Sequence, residues 1–141
     1  MDDATLWNRF HDRTLPQAEW THTAHLRVAW MHLARYPLDE AHLRMRIGII
    51  RLNHAHGLEE TISRGYHETI TRAWLAYIGT LREASISDTP GAPGAHGSSE
   101  EFLAAHAERL GREALLRFYS SERLFSLEAR TRYVPPDITP V

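Results

Sequence analysis

The chain has no cysteine and no lysine. Without cysteine there are no disulfides, no thiolate-bound zinc and no thiol nucleophile. Without lysine there is no amine for a Schiff base; all 16 basic residues are arginine. No apolar run approaches the roughly 18 residues needed to span a membrane, so no membrane partner is expected. The acidic opening MDDATLWNRF lacks the apolar stretch of a secretory signal, and a cytoplasmic location is the expectation. Acidic and basic residues interleave to a net charge of −2. That leaves no basic patch to displace counterions, and no nucleic acid is expected as a partner. Alternation of period two is missing throughout, as are a Gly-rich phosphate loop and a Ser-His-Asp order.

What remains is helical. The length of 141 residues suits a single domain, 1–141, around one core. A first helix is expected over about Ala4 to Asp12. Thr14 to Gln17 has the spacing of a capping box and predicts the start of a second helix running to Arg35, stopped by Pro37. Asp39 is placed to cap a third, which ends before Gly57 and buries Leu43, Ile47 and Ile50. A fourth runs from near Tyr66 to near Arg82 with the stripe Ile70, Trp74, Ile78 and Leu81. Residues 85–98, rich in Pro, Gly and Ser, read as a loop. Ser98 to Glu101 is a second capping box, opening a helix of about ten residues that ends at Gly111. Short helices follow, and the ending TRYVPPDITPV reads as an extended Pro-rich tail. The expected fold is all-α: an antiparallel helical bundle of four main helices, short C-terminal helices and that tail.

Ten histidines stand out in a chain of this length. His22 and His25 are i and i+3 near the start of helix two, with Glu19 three residues earlier. His67 and Thr71 sit atop the stripe of Trp74 and Ile78 at the start of helix four, with Glu68 beside them. The stripe of helix three extends to His54, flanked by Asn53 and His56. In an antiparallel bundle these ends meet at one pole, with His11 close by, so His11, His22, His25, His54, His56 and His67 would converge. The helix dipole there favours neutral imidazole, the form that binds metal or acts as a base. His32, His42, His96 and His106 read as surface residues.

One expectation is a metal centre of His22, His25 and His67 with Glu19 as the carboxylate, holding a divalent transition metal: Zn, Fe, Cu or Mn. Glu68 and His54 would be the acid/base groups. Asn53, Tyr66, Thr71, Trp74 and Arg132 would contact a small-molecule ligand or substrate, with Trp20 on the wall. Glu19 and His25, six residues apart, lie about 9 Å apart along a helix axis. They share an ion only if helix two begins near Thr21 and Glu19 folds back. His67-Glu-Thr-Ile-Thr71 lacks the second histidine of a zincin motif, and a di-iron centre needs two Glu-x-x-His motifs where only Glu19 to His22 fits. The alternatives are a metal-free enzyme using His67 with Glu68 or His22 with Glu19, a non-enzymatic partner-binding module, and a purely structural polar network. A homodimer stays open. Arg130 or Arg132 would reach a carboxylate or an anionic substrate from the tail.

The strings EWTHTAHLRVAW and GYHETITRAW, with the ending LEARTRYVPPD, resemble a group of small bacterial helical proteins, most of them uncharacterised, that carry WTHxxHL and GYHET-type segments. The resemblance spans roughly residues 6–137. It implies an all-helical fold, and Glu19, His22, His25, His67 and Glu68 acting as a unit. It implies no substrate.

Overall fold

The computed structural model describes residues 1–88 and 97–141. Among them the chain is all-helical with no strand: α1 is Asp3–His11, α2 His22–Arg35, α3 Leu38–Ala55, α4 Glu68–Asp88, α5 Ser99–Ala105, α6 Ser121–Leu124 and α7 Leu127–Thr131. No helix of these residues is long and apolar enough to cross a membrane. His96 lies outside the described residues.

Side-chain oxygens set several helix starts, each accepting a backbone N–H that has no partner inside its helix. Asp2 accepts from Thr5, Ser98 from Glu101, Ser120 from Arg123 and Ser126 from Ala129. α3 stops at Gly57, whose φ of 76° closes the turn.

The expected capping box at Thr14 to Gln17 does not form. Thr14 bonds to Asp12 instead, with its N–H donating to Asp12 Oδ1 at 3.1 Å. Gln17–Glu19 make only a 3₁₀ turn, and α2 begins at His22 with Thr21 accepting from Ala24 N at 3.2 Å. Asp39 is no cap either. Pro37 occupies that position, and Asp39 pairs with Arg72 at 2.8 Å. α4 continues to Asp88, so residues 85–88 are helix rather than loop. The helix opened by Ser98 ends at Ala105 and gives way to a 3₁₀ turn over Ala107–Arg109.

α2, α3 and α4 pack on one another; α1 lies against α2 and α3, α5 against α2 and α7 against α4. The core takes Leu6 and Phe10 from α1, Leu26 and Met31 from α2, and Leu75 and Ile78 from α4. α3 presents a different face from the one expected. Ala41, Met45, Ile49 and Leu52 are buried, while Leu43 and Ile47 are 49% and 48% exposed. Two apolar stripes compete on this helix, and contact with α2 and α4 decides which goes inward.

After α7 the chain is anchored rather than free. Val134 is buried, Tyr119 Oη donates to Val134 O at 2.8 Å, and buried Thr69 on α4 donates to Arg132 O at 3.0 Å and accepts from Val134 N at 3.1 Å.

α1 approaches α3 at a glycine. A Cβ at Gly48 would overlap the ring of Phe10, which is fully buried and cannot swing away. Gly48→Ala is therefore expected to destabilise by about 1–3 kcal/mol through overpacking, against the gain of about 1 kcal/mol that alanine brings to a helix interior. Denaturant unfolding measures the balance; a more stable variant would show that the two helices can part at no cost.

Candidate functional site

The best-formed cavity, about 290 Å³, opens where the first turns of α2 and α4 meet the side of α3. Its walls are apolar: Leu26 and Ala29 from α2, Met45 and Ile49 from α3, Ile70 and Trp74 from α4. Its polar groups are Thr21, His22, His25, Thr71 and Arg112, and Trp20 closes one side.

The late start of α2 makes this cavity. Trp20 falls between the 3₁₀ turn and the helix, and its ring stacks on His25 at 3.6 Å and on Phe10 at 5.3 Å. Thr21 caps α2 while its carbonyl accepts the Nδ1–H of His25 at 2.8 Å. That leaves Nε2 of His25 without a hydrogen-bond partner among the described residues. His22 is held from the other nitrogen: Nε2–H donates to Leu110 O at 3.0 Å, with the ring edge-on to Trp74 at 5.2 Å. Its Nδ1 is the unbonded one. Both tautomers are thus set by backbone carbonyls, and each ring keeps one lone pair. Burial, with His22 and Arg112 adding to it, holds His25 down to about 4 against the opposing pull of its bond to Thr21. Its ring is neutral at pH 7.

The other expected site residues lie elsewhere. His67 uses both ring nitrogens: Nδ1 accepts from Ile70 N at 3.1 Å and Nε2–H donates to Leu124 O at 3.0 Å. Burial, helped by Arg130, lowers it to about 4. Glu19 is exposed and faces Arg9 at 3.9 Å. Asn53 is buried and donates to Glu60 at 3.2 Å. His54 is exposed, beside Gly57 and Glu59 on another face. His56 donates to Leu15 O at 2.7 Å, and His11 bonds Trp7 O and stacks near His32. Arg132 is exposed and paired with Glu128, while Arg130 donates to Gly65 O at 3.2 Å. The four expected ligands, Glu19, His22, His25 and His67, do not converge on one point. Among the described residues no group of three or more His, Asp or Glu side chains is placed to hold a metal ion.

Glu68 anchors a separate cluster. Its carboxylate accepts from Tyr66 Oη at 2.6 Å, His42 Nε2 at 2.8 Å, and Arg46 Nε and Nη2 at 3.1 and 2.7 Å. Burial raises its pKa, but the bonds from Tyr66 and Arg46 outweigh burial and leave it below the ordinary glutamate value. Tyr66 therefore faces Glu68 rather than the cavity, and Thr71 stands between the two, on the cavity wall and beside the Tyr66 phenol.

His42 and His32 correct the surface reading. His42 is 7% exposed and His32 fully buried, its Nδ1–H donating to Val28 O at 2.8 Å and its Nε2 unpartnered. His106 is half-buried against Phe102. His42 and Arg46 are i and i+4 on α3, so their shared face was readable from spacing. Arg112 gave no such signal: it follows Gly111 outside any helix.

No family model, curated protein or solved structure matches this chain.

The depressed histidines set a pH window. His25, His32 and His67 have folded values of about 4 against an ordinary 6.5. Between those values the unfolded chain binds protons that the folded rings refuse, so their stabilisation is complete above 6.5 and is lost as pH falls toward 4. Glu68, lowered from its ordinary 4.5, adds to the loss below that value. The thermal midpoint is expected to drop steadily from pH 6.5 to 4, and less steeply in His67→Gln. A midpoint that stays level over that range would show these rings to be freely titrating.

Proposed function

We propose that the protein is an enzyme that binds a small organic molecule in this cavity and acts on it by metal-free acid–base chemistry. The carrying observation is a pair of histidines on an apolar cavity wall, each with one ring nitrogen bound to a backbone carbonyl and the other unbonded. His22, through Nδ1, is the general base. His25, too weakly basic near pH 7 for that role, is a hydrogen-bond acceptor that orients the ligand. Thr71 supplies a hydroxyl, and Trp20 and Trp74 hold the ligand's body. The same reading takes α1–α4 as an antiparallel bundle whose pole carries the cavity, in a cytoplasmic protein of the resembled bacterial group.

The metal-free form is favoured because His67 has no ring nitrogen left and Glu19 faces Arg9. A second reading rests on one observation: an imidazole whose far nitrogen donates to a carbonyl is oriented as metal-bound histidines are. His22 and His25 would then supply two ligands to a divalent metal.

A fragment screen read by ¹⁵N NMR of the histidine rings tests the proposal. Bound compounds are expected to move the signals of His22 and His25, and Trp74→Ala to weaken binding about tenfold, the scale of one lost aromatic contact. Hits that shift other histidines and leave these two unmoved would sink it. Zinc titration of the same sample separates the two readings: a shift of both ring signals that is complete at one equivalent favours the metal.

A further inference from the structure

The lining of the cavity carries a charge pattern that points to its ligand. Among the described residues no aspartate or glutamate lines it, although the chain as a whole is net acidic. Arg112 does line it, and this guanidinium has no ion pair or hydrogen bond among the described residues. Arg46 answers to Glu68, Arg27 to Asp3 and Arg72 to Asp39; several other arginines, Arg51 and Arg64 among them, have no such pair among the described residues, but they do not line this cavity. Two helix N-termini add to the field. Thr21 and His22 begin α2, a helix of 14 residues, and Ile70 and Thr71 lie in the first turn of α4, a helix of 21. Their dipoles point positive ends at the same space. The two imidazoles add no negative charge. A neutral or cationic ligand would leave this potential uncompensated, and a cation would meet Arg112 with like charge.

Size and wall chemistry narrow the class. Leu26, Ala29, Met45, Ile49, Ile70 and Trp74 demand an apolar body. A cavity of about 150 Å³ admits benzene, so about 290 Å³ has room for one ring with a short arm. One guanidinium offers a planar fork that matches one carboxylate. A dianion would carry a second charge into an apolar site with no second cation to meet it.

We infer that the cavity takes a small monocarboxylate with an aromatic or branched apolar body, its carboxylate on Arg112 and its body between Trp20 and Trp74. This rests on the cavity being the ligand site proposed above. The carboxylate end is fixed at the exposed rim, and the body reaches inward past His22 and His25.

Hydrocinnamate, hydrocinnamyl alcohol and phenyl phosphate test it, by calorimetry and by quenching of tryptophan fluorescence. Wild-type protein is expected to bind hydrocinnamate about ten- to a hundredfold more tightly than the alcohol, the range of a charge-assisted hydrogen bond. Arg112→Gln should erase that preference, keep the alcohol's affinity and leave the melting temperature unchanged, since the side chain is exposed and unpaired. Equal binding of acid and alcohol by the wild type overturns the carboxylate inference and leaves the cavity reading standing. A preference for phenyl phosphate overturns the single charge. Failure of all three probes to bind overturns both this inference and the reading beneath it.

Discussion

The structure hangs on one recurring bond, an imidazole N–H donated to a backbone carbonyl. His22 reaches Leu110, His56 reaches Leu15 and His67 reaches Leu124, each carbonyl lying outside regular α-helix or at a helix end. His11, His25 and His32 bond the carbonyl four residues back. Among the described residues the first three carbonyls accept no backbone bond, and an unpaired buried carbonyl costs about 1–3 kcal/mol; Thr21 O, by contrast, also accepts His25 N at 3.0 Å. Histidine suits the task because it is long enough to cross between segments and can donate while neutral. The bond also fixes the tautomer, and so decides which nitrogen remains for other work.

Two groups of side chains follow from that constraint, with different fates. In His67 the second nitrogen is spent on Ile70 N, which makes the ring a clip between the start of α4 and the end of α6. In His22 and His25 the second nitrogen is left over, on the wall of a cavity. Glu68 belongs to the first kind: Tyr66, His42 and Arg46 donate to its Oε1 and Arg46 again to its Oε2, and it ties α4 to α3. The cavity and this polar cluster share a wall at Thr71 without merging. The site is thus an apolar space with a positive rim, held between two closed hydrogen-bond systems.

Much of this was readable in advance, and the failures have specific causes. Ser98 caps α5 and Gly57 ends α3, because the bonds that make these ends are local. The stripe of Ile70, Trp74, Ile78 and Leu81 does face inward, although Ile70 and Trp74 are only partly covered by their neighbours. Thr14 to Gln17 had the right residues for a capping box, yet Asp12 offered Thr14 a nearer partner, and the helix waited for Thr21. Leu43 and Ile47 had helical spacing as good as that of Met45 and Ile49. His32 and His42 looked like surface residues because nothing in their neighbours in sequence reveals a partner on another helix.

By itself, then, the sequence determined the helical class and those helix ends set by local signals, at Arg35, Gly57 and Ser98, and it marked His22 and His25 as neighbours on one helix. Each depends on residues within about one turn of helix from one another, where geometry is set by the backbone. Only the tertiary structure decided which face of α3 went inward, that His67 and Glu68 were consumed by hydrogen bonds, and that Arg112 stood at the cavity. Those outcomes turn on pairs such as His22 with Leu110, 88 residues apart. Such pairs compete for the same buried donors and acceptors, and packing of the whole chain selects among them.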